Sequence, residues 1–379
     1  MLDVVVVGAG PSGSTAAYLL ARGGLKVALV EKARLPRRKV CGGGLTPKTV
    51  ALLRELDLLD EEVLVNDCGM LRVFYKGKHQ FDIDGARLFI TLRDVFDYSL
   101  AKRAVEAGAA LFEGTRVAGV KELRERVEVV AEDGSTLPAE VVIGADGASS
   151  AVARALGRKW RREDLSIAVA ALVSAQEGAR GDACELHFGV VRYGYCWAFP
   201  VSGAGRLFNV GCGTVLEHSK LLLGAFQSFA SRFNPSSRPS VAAHLVPTPS
   251  KFEREFFGAR RVLLVGDAAG LVDPWFGEGI YYAIRSAVYA SQAVLDGWSG
   301  GNVLDAYYSF LAERILPDLK CARVFRRVFY LRVEAMLRII RGSRRLKRAL
   351  IELLNGSIRY RDLPNYLTPR LGMLLRLCG

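Results

Sequence analysis

A glycine-rich turn near the start of the chain is the first place where residue types and spacing could do chemistry. Gly8, Gly10 and Gly13 form a G-x-G-x-x-G pattern, with Ser12 inside it. Glycines at these positions let the backbone approach a pyrophosphate closely. A helix that begins here would also point free N–H groups and its positive dipole end at the phosphates. The turn therefore predicts a dinucleotide site made by these four residues.

The segments on either side of the turn are those that such a site needs. Residues 4–7 are four consecutive valines, which predict a strand buried on both faces of a parallel sheet. An alanine- and leucine-rich helix follows, and a second strand, residues 26–30, leads to Glu31 and Lys32. Glu31 stands 18 residues beyond Gly13, where a carboxylate can bind ribose hydroxyls. We expect Glu31 and Lys32 to contact the dinucleotide.

Two later segments indicate which dinucleotide is bound. Residues 141–147 and 261–270 each read as a buried strand that ends in an acidic glycine turn, at Asp146 and Asp267. They resemble the flavoprotein hydroxylase superfamily, which implies FAD as the cofactor and Asp267 as a ligand of its ribityl or ribose part. By the same resemblance the further FAD contacts are Arg93, Val117, Asp146, Gly279 and Ile280. The sequence has no second dinucleotide fingerprint, so it indicates no separate nicotinamide domain.

Two other segments carry unusual side chains. Cys41 is followed by three glycines, which permit close approach of the backbone to a flat ligand. Residues 193–200 read Tyr-Gly-Tyr-Cys-Trp-Ala-Phe-Pro, and in a strand Tyr195, Trp197 and Phe199 share one face. That aromatic face either walls an apolar cavity or is ordinary core packing, and the sequence leaves both open.

Together these two segments resemble the geranylgeranyl reductase family of FAD enzymes, in particular the digeranylgeranylglycerophospholipid reductases. The family carries a Cys-Gly-x-Gly segment near the flavin and a Tyr-x-Trp-x-Phe-Pro strand that lines its prenyl cavity, followed by Gly-x-Gly. The resemblance covers about residues 1–330. It implies flavin contacts at Cys41, Gly42 and Gly44 and substrate contacts at Tyr195, Trp197, Phe199 and Gly211.

The chain departs from the family pattern at two places. Residues 201–210 form a slightly longer stretch than usual, which we attribute to an extended hairpin turn at residues 202–205. Glu278 stands where family members often have glycine. The loop that faces the flavin is therefore expected to interact with it differently than in those family members.

The resemblance implies an FAD-dependent oxidoreductase that acts on CH–CH groups. It would saturate C=C bonds of geranylgeranyl chains, on a membrane lipid of the archaeal ether type or its precursors, by hydride transfer from FADH2. An isolated alkene is a poor electrophile, so a proton donor has to be placed beside it. Cys41, Tyr195 and Glu278 are the candidate catalytic donors, and Cys41 is equally open to a packing role. The electrons would come from NAD(P)H or from an acidic ferredoxin-like protein.

Two other functions share the same segments. An FAD monooxygenase or halogenase-like enzyme uses the same FAD-binding parts with oxygen chemistry. A prenyl-chain escort on the same fold would bind the chain without reducing it. Product masses that rise by two hydrogens, gain oxygen or stay unchanged distinguish the three.

The predicted fold class is α/β, with a Rossmann-type FAD-binding domain, an inserted and mainly antiparallel substrate domain, and a helical C-terminal region. The FAD-binding domain is expected to be discontinuous, at residues 1–60, 90–160 and 258–300. Residues 61–89 and 161–257 are expected to form the substrate domain, in which runs of alternating apolar and polar residues indicate strands. Residues 301–379 are expected to form the basic helical region.

The positive charge of the chain is concentrated at its end. From Arg314 onward there are 16 Lys/Arg and four acidic residues, which accounts for +12 of the net +13. At about 100° per residue the apolar side chains of one predicted helix fall on one face and the arginines on the other. The apolar face is Phe325, Phe329, Val333, Met336 and Ile340, and the basic face is Arg323, Arg327, Arg338, Arg341 and Arg345. The helix either rests on an anionic membrane surface or docks on the body with its arginines solvated.

Composition excludes several other classes. The chain is 50% hydrophobic and 24% charged, which is incompatible with a disordered chain. No apolar stretch approaches the ~20 residues that a bilayer span needs, and no secretory signal is expected. The seven dispersed cysteines lack a C-x-x-C pair, so we expect no metal site and no disulfide scaffold. We therefore expect a cytoplasmic protein, peripheral on the membrane, that does not bind nucleic acid.

Overall fold

The computed structural model describes residues 1–175, 181–234, 239–297 and 302–366. Its strands, in chain order, are β1 (Leu2–Val7), β2 (Val27–Val30), β3 (Gly44–Leu45), β4 (Leu64–Tyr75), β5 (Lys78–Thr91), β6 (Ala110–Phe112), β7 (Val117–Glu122), β8 (Val127–Ala131), β9 (Thr136–Gly144), β10 (Leu165–Ser174), β11 (Ala183–Phe188), β12 (Gly194–Pro200), β13 (Leu207–Val215), β14 (Ala242–Pro247), β15 (Gly258–Ala259) and β16 (Val262–Leu264).

The helices are more numerous toward the C-terminal end of the described chain. They are α1 (Pro11–Arg22), α2 (Pro47–Glu55), α3 (Arg93–Glu106), α4 (Ala151–Ala155), α5 (Leu222–Ala230), α6 (Ile280–Gly297), α7 (Val303–Arg314), α8 (Leu316–Leu331), α9 (Val333–Gly342) and α10 (Arg344–Asn355). Among the described residues, no helix combines the length and the apolar character that crossing a bilayer requires.

The chain divides into two compact units. Unit 1 comprises Met1–Arg38, Asp94–Asp164 and Val246–Leu319. Unit 2 comprises Lys39–Arg93, Leu165–Leu245 and Lys320–Gly379. Each unit is discontinuous in sequence because the chain passes between them several times.

Unit 1 is built on a sheet whose centre is parallel. The strand order is β15-β16-β9-β1-β2-β6, and β7 and β8 extend the sheet from β9. Val4 of β1 lies opposite Val27 on one side and Val141 on the other, and Val4, Val5 and Val6 are fully buried. A strand paired on both edges and covered on both faces loses all contact with water, which suits consecutive β-branched residues. The predicted buried parallel strand is confirmed.

Unit 2 contains an eight-stranded sheet in the order β14-β10-β13-β12-β11-β4-β5-β3. β10 and β12 each run antiparallel to β13, and β11 runs antiparallel to β12. β11 and β4 are parallel. β4 and β5 form a long antiparallel pair with several register shifts. The structure thus confirms the α/β class with a second, mainly antiparallel sheet.

One face of β12 and β13 carries the hydrophobic core of unit 2. Cys196 and Ala198 of β12 are fully buried and pack in one cluster with Val210 of β13 and with Phe226 and Phe229 of α5. Their neighbours along β12 are the three aromatic residues, which point to the opposite face. The small side chains therefore face this core cluster, and the aromatic side chains do not belong to it.

A disulfide joins β12 and β13 within this cluster. Cys196 and Cys212 are directly opposite in the ladder, and their sulfur atoms are bonded. The sequence offers no local pairing signal for two cysteines that lie 16 positions apart, because strand register alone brings them together. Among the described residues, Cys41, Cys68 and Cys184 are not disulfide-bonded.

The basic C-terminal region differs from the single helix that periodicity predicts. α8 ends at Leu331 and α9 begins at Val333, because Arg332 between them has a non-helical backbone with φ −147° and ψ 67°. The predicted faces nevertheless hold within each helix, since Phe325, Phe329, Met336 and Ile340 are buried. α9 and α10 both pack against β5 of unit 2. Residues 367–379 of the predicted region lie outside the described residues.

Candidate cofactor and substrate sites

The glycine turn of unit 1 joins β1 to α1 by close backbone contacts. Gly8 has φ +103°, and a Cβ atom there would lie 2.5 Å from the carbonyl oxygen of Ala145. A Cβ atom on Gly13 would lie 1.8 Å from the carbonyl oxygen of Gly8. Any side chain at either position would force the strand and the helix apart. The turn therefore needs both glycines for its own geometry, independently of a ligand.

Gly10 and the start of α1 are open by comparison. The nearest atom that a Cβ on Gly10 would meet is a guanidinium nitrogen of Arg37, at 3.8 Å. Gly10 is the N-cap of α1, Pro11 opens the helix, and the first turn has no acidic residue. Amide groups at such a helix start, with a guanidinium beside them, are suited to bind an anion.

Glu31 is anchored to the turn by its carboxylate. Oε2 of Glu31 accepts a hydrogen bond from the backbone N–H of Ala9 at 2.9 Å, and Oε1 accepts one from Ala33 at 3.1 Å. The side chain is only 3% exposed, so the end of β2 and the glycine turn hold one fixed carboxylate between them. The Arg37 guanidinium also approaches this carboxylate, with its NH2 group donating to Oε2 at 3.4 Å. Lys32, the next residue, is exposed.

Arg37 and Asp97 belong to the same cluster, and the sequence analysis missed both. Nε of Arg37 lies 3.3 Å from Oε1 of Glu31, and its NH1 group donates to Oδ2 of Asp97 at 3.1 Å. Asp97 is fully buried in α3. Its partner is 60 positions away in the chain, so no local spacing could have revealed the bridge. The bridge holds a positive charge beside Gly10.

The acidic turn at Asp267 lies next to the glycine turn that contains Ser12. Gly266 has φ +57°, and a Cβ atom there would lie 3.0 Å from Oγ of Ser12. Oδ1 of Asp267 lies close to Gly279, where an added Cβ would be 3.4 Å from it. Ile280 opens α6 directly after Gly279, close to the predicted helix start. Unit 1 thus brings together Ser12, Asp267 and Gly279, which are far apart in sequence.

The loop before α6 is organised by Asp273, a third residue that was not predicted from the sequence. Asp273 is 1% exposed, and its Oδ1 accepts hydrogen bonds from the backbone N–H groups of Trp275 at 2.7 Å and Phe276 at 3.1 Å. Its own N–H donates to the carbonyl oxygen of Glu278 at 3.0 Å. A carboxylate that closes a turn on the following amides is a local signal, and it was available in the sequence.

Asp146 and Val117, two predicted FAD contacts, have structural partners in unit 1. Oδ2 of Asp146 accepts from the N–H groups of Ala151 at 2.6 Å and Val152 at 3.3 Å, at the start of α4. Its Oδ1 is buried and has no hydrogen-bond partner among the described residues, and burial raises the pKa of this carboxyl. Val117 is buried and begins β7. An FAD contact at either residue stays a prediction.

These residues fit an FAD molecule in chemical terms. The start of α1 and the Arg37 guanidinium supply donors for a pyrophosphate, while Glu31 and Asp267 supply carboxylate acceptors for sugar hydroxyls. The buried Oδ1 atom of Asp146 has no donor among the residues that the structure describes. Unit 1 thus has both the donors for phosphate and the acceptors for sugar hydroxyls that a dinucleotide requires.

The Cys41 loop of unit 2 is held close to backbone on one side. Gly43 has φ +74°, and a Cβ there would lie 2.2 Å from the carbonyl oxygen of Thr91. The N–H of Thr91 donates to the carbonyl oxygen of Gly43 at 2.8 Å, and β3 continues this pairing with β5. Sγ of Cys41 accepts the N–H of Gly43 at 3.4 Å.

The other side of the Cys41 loop faces the aromatic residues of β12. A Cβ atom on Gly42 would lie 3.1 Å from Phe199 and 3.2 Å from Nε1 of Trp197, and one on Gly44 would lie 3.2 Å from Phe199. Tyr195 follows along the same face, with its ring centroid 6.2 Å from that of Trp197. The predicted substrate residues Tyr195, Trp197 and Phe199 therefore share one face with the cysteine loop.

Glycine on β13 makes room for the Trp197 ring. Trp197 lies opposite Gly211 in the ladder, and a Cβ atom on Gly211 would be 2.1 Å from Cζ2 of the indole. Gly213, opposite Tyr195, has only ordinary contacts, the nearest being Cβ of Ala168 at 3.6 Å. The turn predicted at residues 202–205 is present, since Gly205 donates its N–H to the carbonyl oxygen of Ser202 at 2.9 Å.

The three candidate proton donors do not occupy one unit. Cys41 and Tyr195 are in unit 2, at either end of the face just described, and both are partly exposed. Glu278 is in unit 1, in the loop that Asp273 organises, and is also partly exposed. Arg93, the predicted FAD contact that opens α3, is the last residue of the first segment of unit 2. The roles of these four residues stay predictions.

Comparison with known proteins identifies the group to which this arrangement belongs. Residues 1–184 match the model of an FAD binding domain. The chain is 31% identical over 344 residues to the menaquinone reductase of Mycolicibacterium smegmatis, with 85% of this chain and 83% of the relative covered. It is 32% identical over 329 residues to the digeranylgeranylglycerophospholipid reductase of Methanothrix thermoacetophila, with 79% of each covered. The chain belongs to the geranylgeranyl and menaquinone reductase family of FAD-binding proteins.

Membership in this family confirms FAD as the cofactor and an FAD-dependent reductase as the general class. A solved structure supports the fold over nearly the whole chain. The geranylgeranyl bacteriochlorophyll reductase-like protein from Thermoplasma acidophilum superposes with a TM-score of 0.82 at 24% identity, covering 97% of this chain and 99% of that one. The family and the fold therefore agree, whereas the substrate is not fixed by them.

Replacement of Asp267 by alanine should weaken FAD binding without unfolding unit 1. A carboxylate that accepts hydrogen bonds from sugar hydroxyls contributes about 1.5–3 kcal/mol, so we expect FAD to bind about 10- to 100-fold more weakly. The measurement is the flavin absorbance per chain after purification, together with titration of the stripped protein. Asp296→Ala, at an exposed position on α6, is the matched control. Full flavin occupancy in Asp267→Ala would remove this residue from the site.

Two glycine-to-alanine changes on β13 should differ in their effect on the free energy of unfolding. Gly211→Ala places a methyl group in the Trp197 ring and should lower the free energy of unfolding by about 1–3 kcal/mol, as overpacking does. Gly213→Ala meets only ordinary contacts and should stay within about 0.5 kcal/mol of wild type. Urea midpoints of the two variants give the comparison. Equal stability of both variants would show that the Trp197 ring is free to move aside.

Proposed function

We propose that the protein reduces C=C bonds of a geranylgeranyl-type prenyl chain carried by a membrane lipid. The family supports a reductase of prenylated or quinone lipids, and the aromatic face of unit 2 supports the prenyl chain as the part that is recognised. The observation that carries the proposal is the position of Tyr195, Trp197 and Phe199. These rings lie on the sheet face opposite the core cluster and beside the Cys41 loop.

An isoprenoid chain matches this face in shape and polarity. Its repeating trisubstituted alkenes are flat and apolar, and they have no group that could satisfy a buried polar partner. Aromatic rings offer large apolar contact area at little cost in side-chain entropy. Gly42, Gly44 and Gly211 let the Trp197 and Phe199 rings pack closely against backbone, which holds the rings as one apolar wall. The face would therefore bind the chain by shape and burial, without hydrogen bonds to its alkenes.

Bound FAD supplies the hydride that reduces one alkene carbon. The residues of this chain have to orient the alkene, exclude water and provide a proton to the other carbon. In unit 2 the sulfhydryl group of Cys41 and the hydroxyl group of Tyr195 are the groups that could hold this proton. The hydrogen bond from the Gly43 N–H to Sγ of Cys41 restricts where that sulfur can point.

The polar head group of the substrate is the finer part of the proposal. The relative from Methanothrix thermoacetophila is named for a glycerophospholipid with two geranylgeranyl chains, and that substrate is our first candidate. Menaquinone, which carries an isoprenoid side chain on a quinone ring, is the second candidate, because the relative from Mycolicibacterium smegmatis is equally similar. Both substrates present the same chemistry, a trisubstituted alkene in an apolar chain.

The proposal is tested by incubating holoenzyme, dithionite and a geranylgeranylated glycerophospholipid or menaquinone, with mass spectrometry of the products. We expect masses that rise by two hydrogens per step. Trp197→Ala should lower turnover by about tenfold or more, because loss of the wall misplaces the alkene, while flavin content stays at the wild-type level. Tyr193→Ala is the matched control, since this neighbouring ring stacks on His218 instead.

Other product patterns would overturn the proposal in distinct ways. Products that gain oxygen when reduced protein meets air would indicate a monooxygenase. Tight binding of the prenyl lipid with no change of mass would indicate an escort. Equal turnover by Trp197→Ala and wild type would show that the aromatic face does not contact the substrate.

We also propose that the arginines of α9 and α10 hold the protein on an anionic membrane surface. The apolar sides of these helices, including Met336, Ile340 and Leu350, are buried within unit 2. Attraction to a membrane would therefore act through the exposed arginines. Arg338 pairs with Glu334, and Arg345 donates to the carbonyl oxygen of Asn365. Arg341 and Arg344, by contrast, are exposed and have no partner among the described residues.

Reversal of these two charges should release the protein from anionic vesicles. Basic residues near an anionic surface contribute about 1 kcal/mol each, so Arg341→Glu with Arg344→Glu should lower binding by about tenfold or more at low salt. Lys121→Glu with Arg124→Glu, at exposed positions of unit 1, changes net charge equally and is the control. Co-sedimentation with anionic and neutral liposomes across a salt series measures the effect. Binding that is indifferent to lipid charge and to these reversals would contradict the proposal.

A further inference from the structure

We propose that Asn209 is a positioning residue that fixes the Cys41 loop to the aromatic face through its side-chain amide. Asn209 lies in the stretch between the aromatic strand and the first glycine of the Gly-x-Gly pair, and its side chain faces neither the core cluster nor a charged group. This role deepens the proposed function, because it concerns the same face of unit 2. Its primary test, however, does not depend on the substrate.

The amide of Asn209 bridges two groups that belong to different segments. Nε1 of Trp197 donates to Oδ1 of Asn209 at 3.1 Å. Nδ2 of Asn209 donates to the backbone carbonyl oxygen of Cys41 at 2.7 Å. The indole can only donate and the carbonyl can only accept, so the two partners together determine which way the amide points.

Strand register explains why this bridge falls at position 209. Asn209 lies opposite Phe199 in the β12–β13 ladder, on the same face as Gly211 and Gly213. Its cross-strand neighbour on β10 is Leu172. Among these apolar and small residues, Asn209 is the polar side chain that reaches the Cys41 loop. A hydrophobic residue of similar size would fill the space but could make neither hydrogen bond.

The bridge couples the two halves of the proposed site. The loop is anchored on one side by the pairing of Gly43 with Thr91, which leaves the Cys41 carbonyl to be held from the other side. Asn209 provides that second anchor, and it makes the Trp197 ring and the Cys41 backbone move together. The position of the Cys41 sulfur relative to the aromatic wall then depends on an amide that contacts neither the sulfur nor the alkene.

The rate at which iodoacetamide alkylates Cys41 measures the freedom of the loop directly. Cys41 is partly exposed, whereas Cys68, Cys184 and Cys321 are buried. Mapping of the Cys41 peptide by mass spectrometry makes the rate specific to this residue. We expect Asn209→Leu and Asn209→Asp to raise the rate about tenfold, because loss of one hydrogen bond shifts a loop equilibrium by about that factor. Asp retains an acceptor for Trp197 but repels the Cys41 carbonyl.

Asn66 provides a matched control within the same sheet. Its Nδ2 donates to the carbonyl oxygen of Pro200 at 2.9 Å, so it also ties a side-chain amide to the backbone of β12, but its partners among the described residues do not include the Cys41 loop. Asn66→Leu should leave the Cys41 rate within about twofold of wild type. A comparable rise in Asn66→Leu, or a rate in both Asn209 variants that matches wild type, would overturn the proposal.

A double-mutant cycle tests whether the bridge transmits the position of Trp197. Trp197→Phe keeps a ring but removes the indole donor. It should raise the Cys41 rate in the wild-type background and have no further effect in the Asn209→Leu background, because the connection is already lost there. Independent, multiplicative effects of the two changes would show that Trp197 and Cys41 are not connected through Asn209, and would overturn this part of the proposal.

Steady-state kinetics measure the effect on catalysis, independently of the alkylation rates. With a prenyl lipid that the wild-type holoenzyme reduces, Asn209→Leu should lower kcat while KM stays within about twofold, because the chain still binds to the aromatic wall. A fall in kcat that is matched by Asn66→Leu would indicate a merely structural effect and count against positioning. If wild type reduces no prenyl lipid, the proposed function fails, but the alkylation rates still decide whether Asn209 holds the loop.

Discussion

The close contact between the Trp197 ring and glycine backbone is the constraint on which the proposed substrate site of unit 2 depends. The indole occupies space that a single methyl group on Gly211 would fill, and the Cys41 loop approaches its other edge through Gly42. A large ring can pack at such short range only where the facing residues lack side chains. The aromatic strand, the glycine strand and the cysteine loop therefore form one fitted arrangement, in which none of the three can change size alone.

The two units divide the chemistry by polarity. Unit 1 gathers charged and hydrogen-bonding groups, from Glu31 and Arg37 to Asp267, around backbone that approaches a ligand closely. Unit 2 offers rings and glycines, and the amide of Asn209 links the Trp197 ring to the Cys41 backbone. A dinucleotide needs many directed hydrogen bonds, whereas an isoprenoid chain offers no partner for any. Each unit is thus suited to one of the two classes of ligand that the proposed function requires.

Local patterns in the sequence predicted those parts of the structure that local geometry decides. The valine strand with its glycine turn, and the alternation of Tyr195, Trp197 and Phe199 with small residues, follow from neighbours in the chain. Contacts that depend on strand register or on distant segments escaped prediction. The Arg37–Asp97 pair, the Cys196–Cys212 disulfide and the Asn209 bridge each join residues that only the folded sheets bring together. The break at Arg332 was not predicted either, because the hydrophobic periodicity continues across a single non-helical residue.

The anchored carboxylate of Glu31 has a consequence for how the protein acquires its cofactor. Both oxygens are oriented by amides of the chain itself, so this end of the nucleotide site is complete before any nucleotide arrives. A preformed acceptor does not have to be ordered upon binding, which removes part of the entropic cost of association. Hydrogen bonds within unit 1 itself thus orient the acceptor that FAD would meet. Loss of FAD would leave this part of the binding site intact and able to bind FAD again.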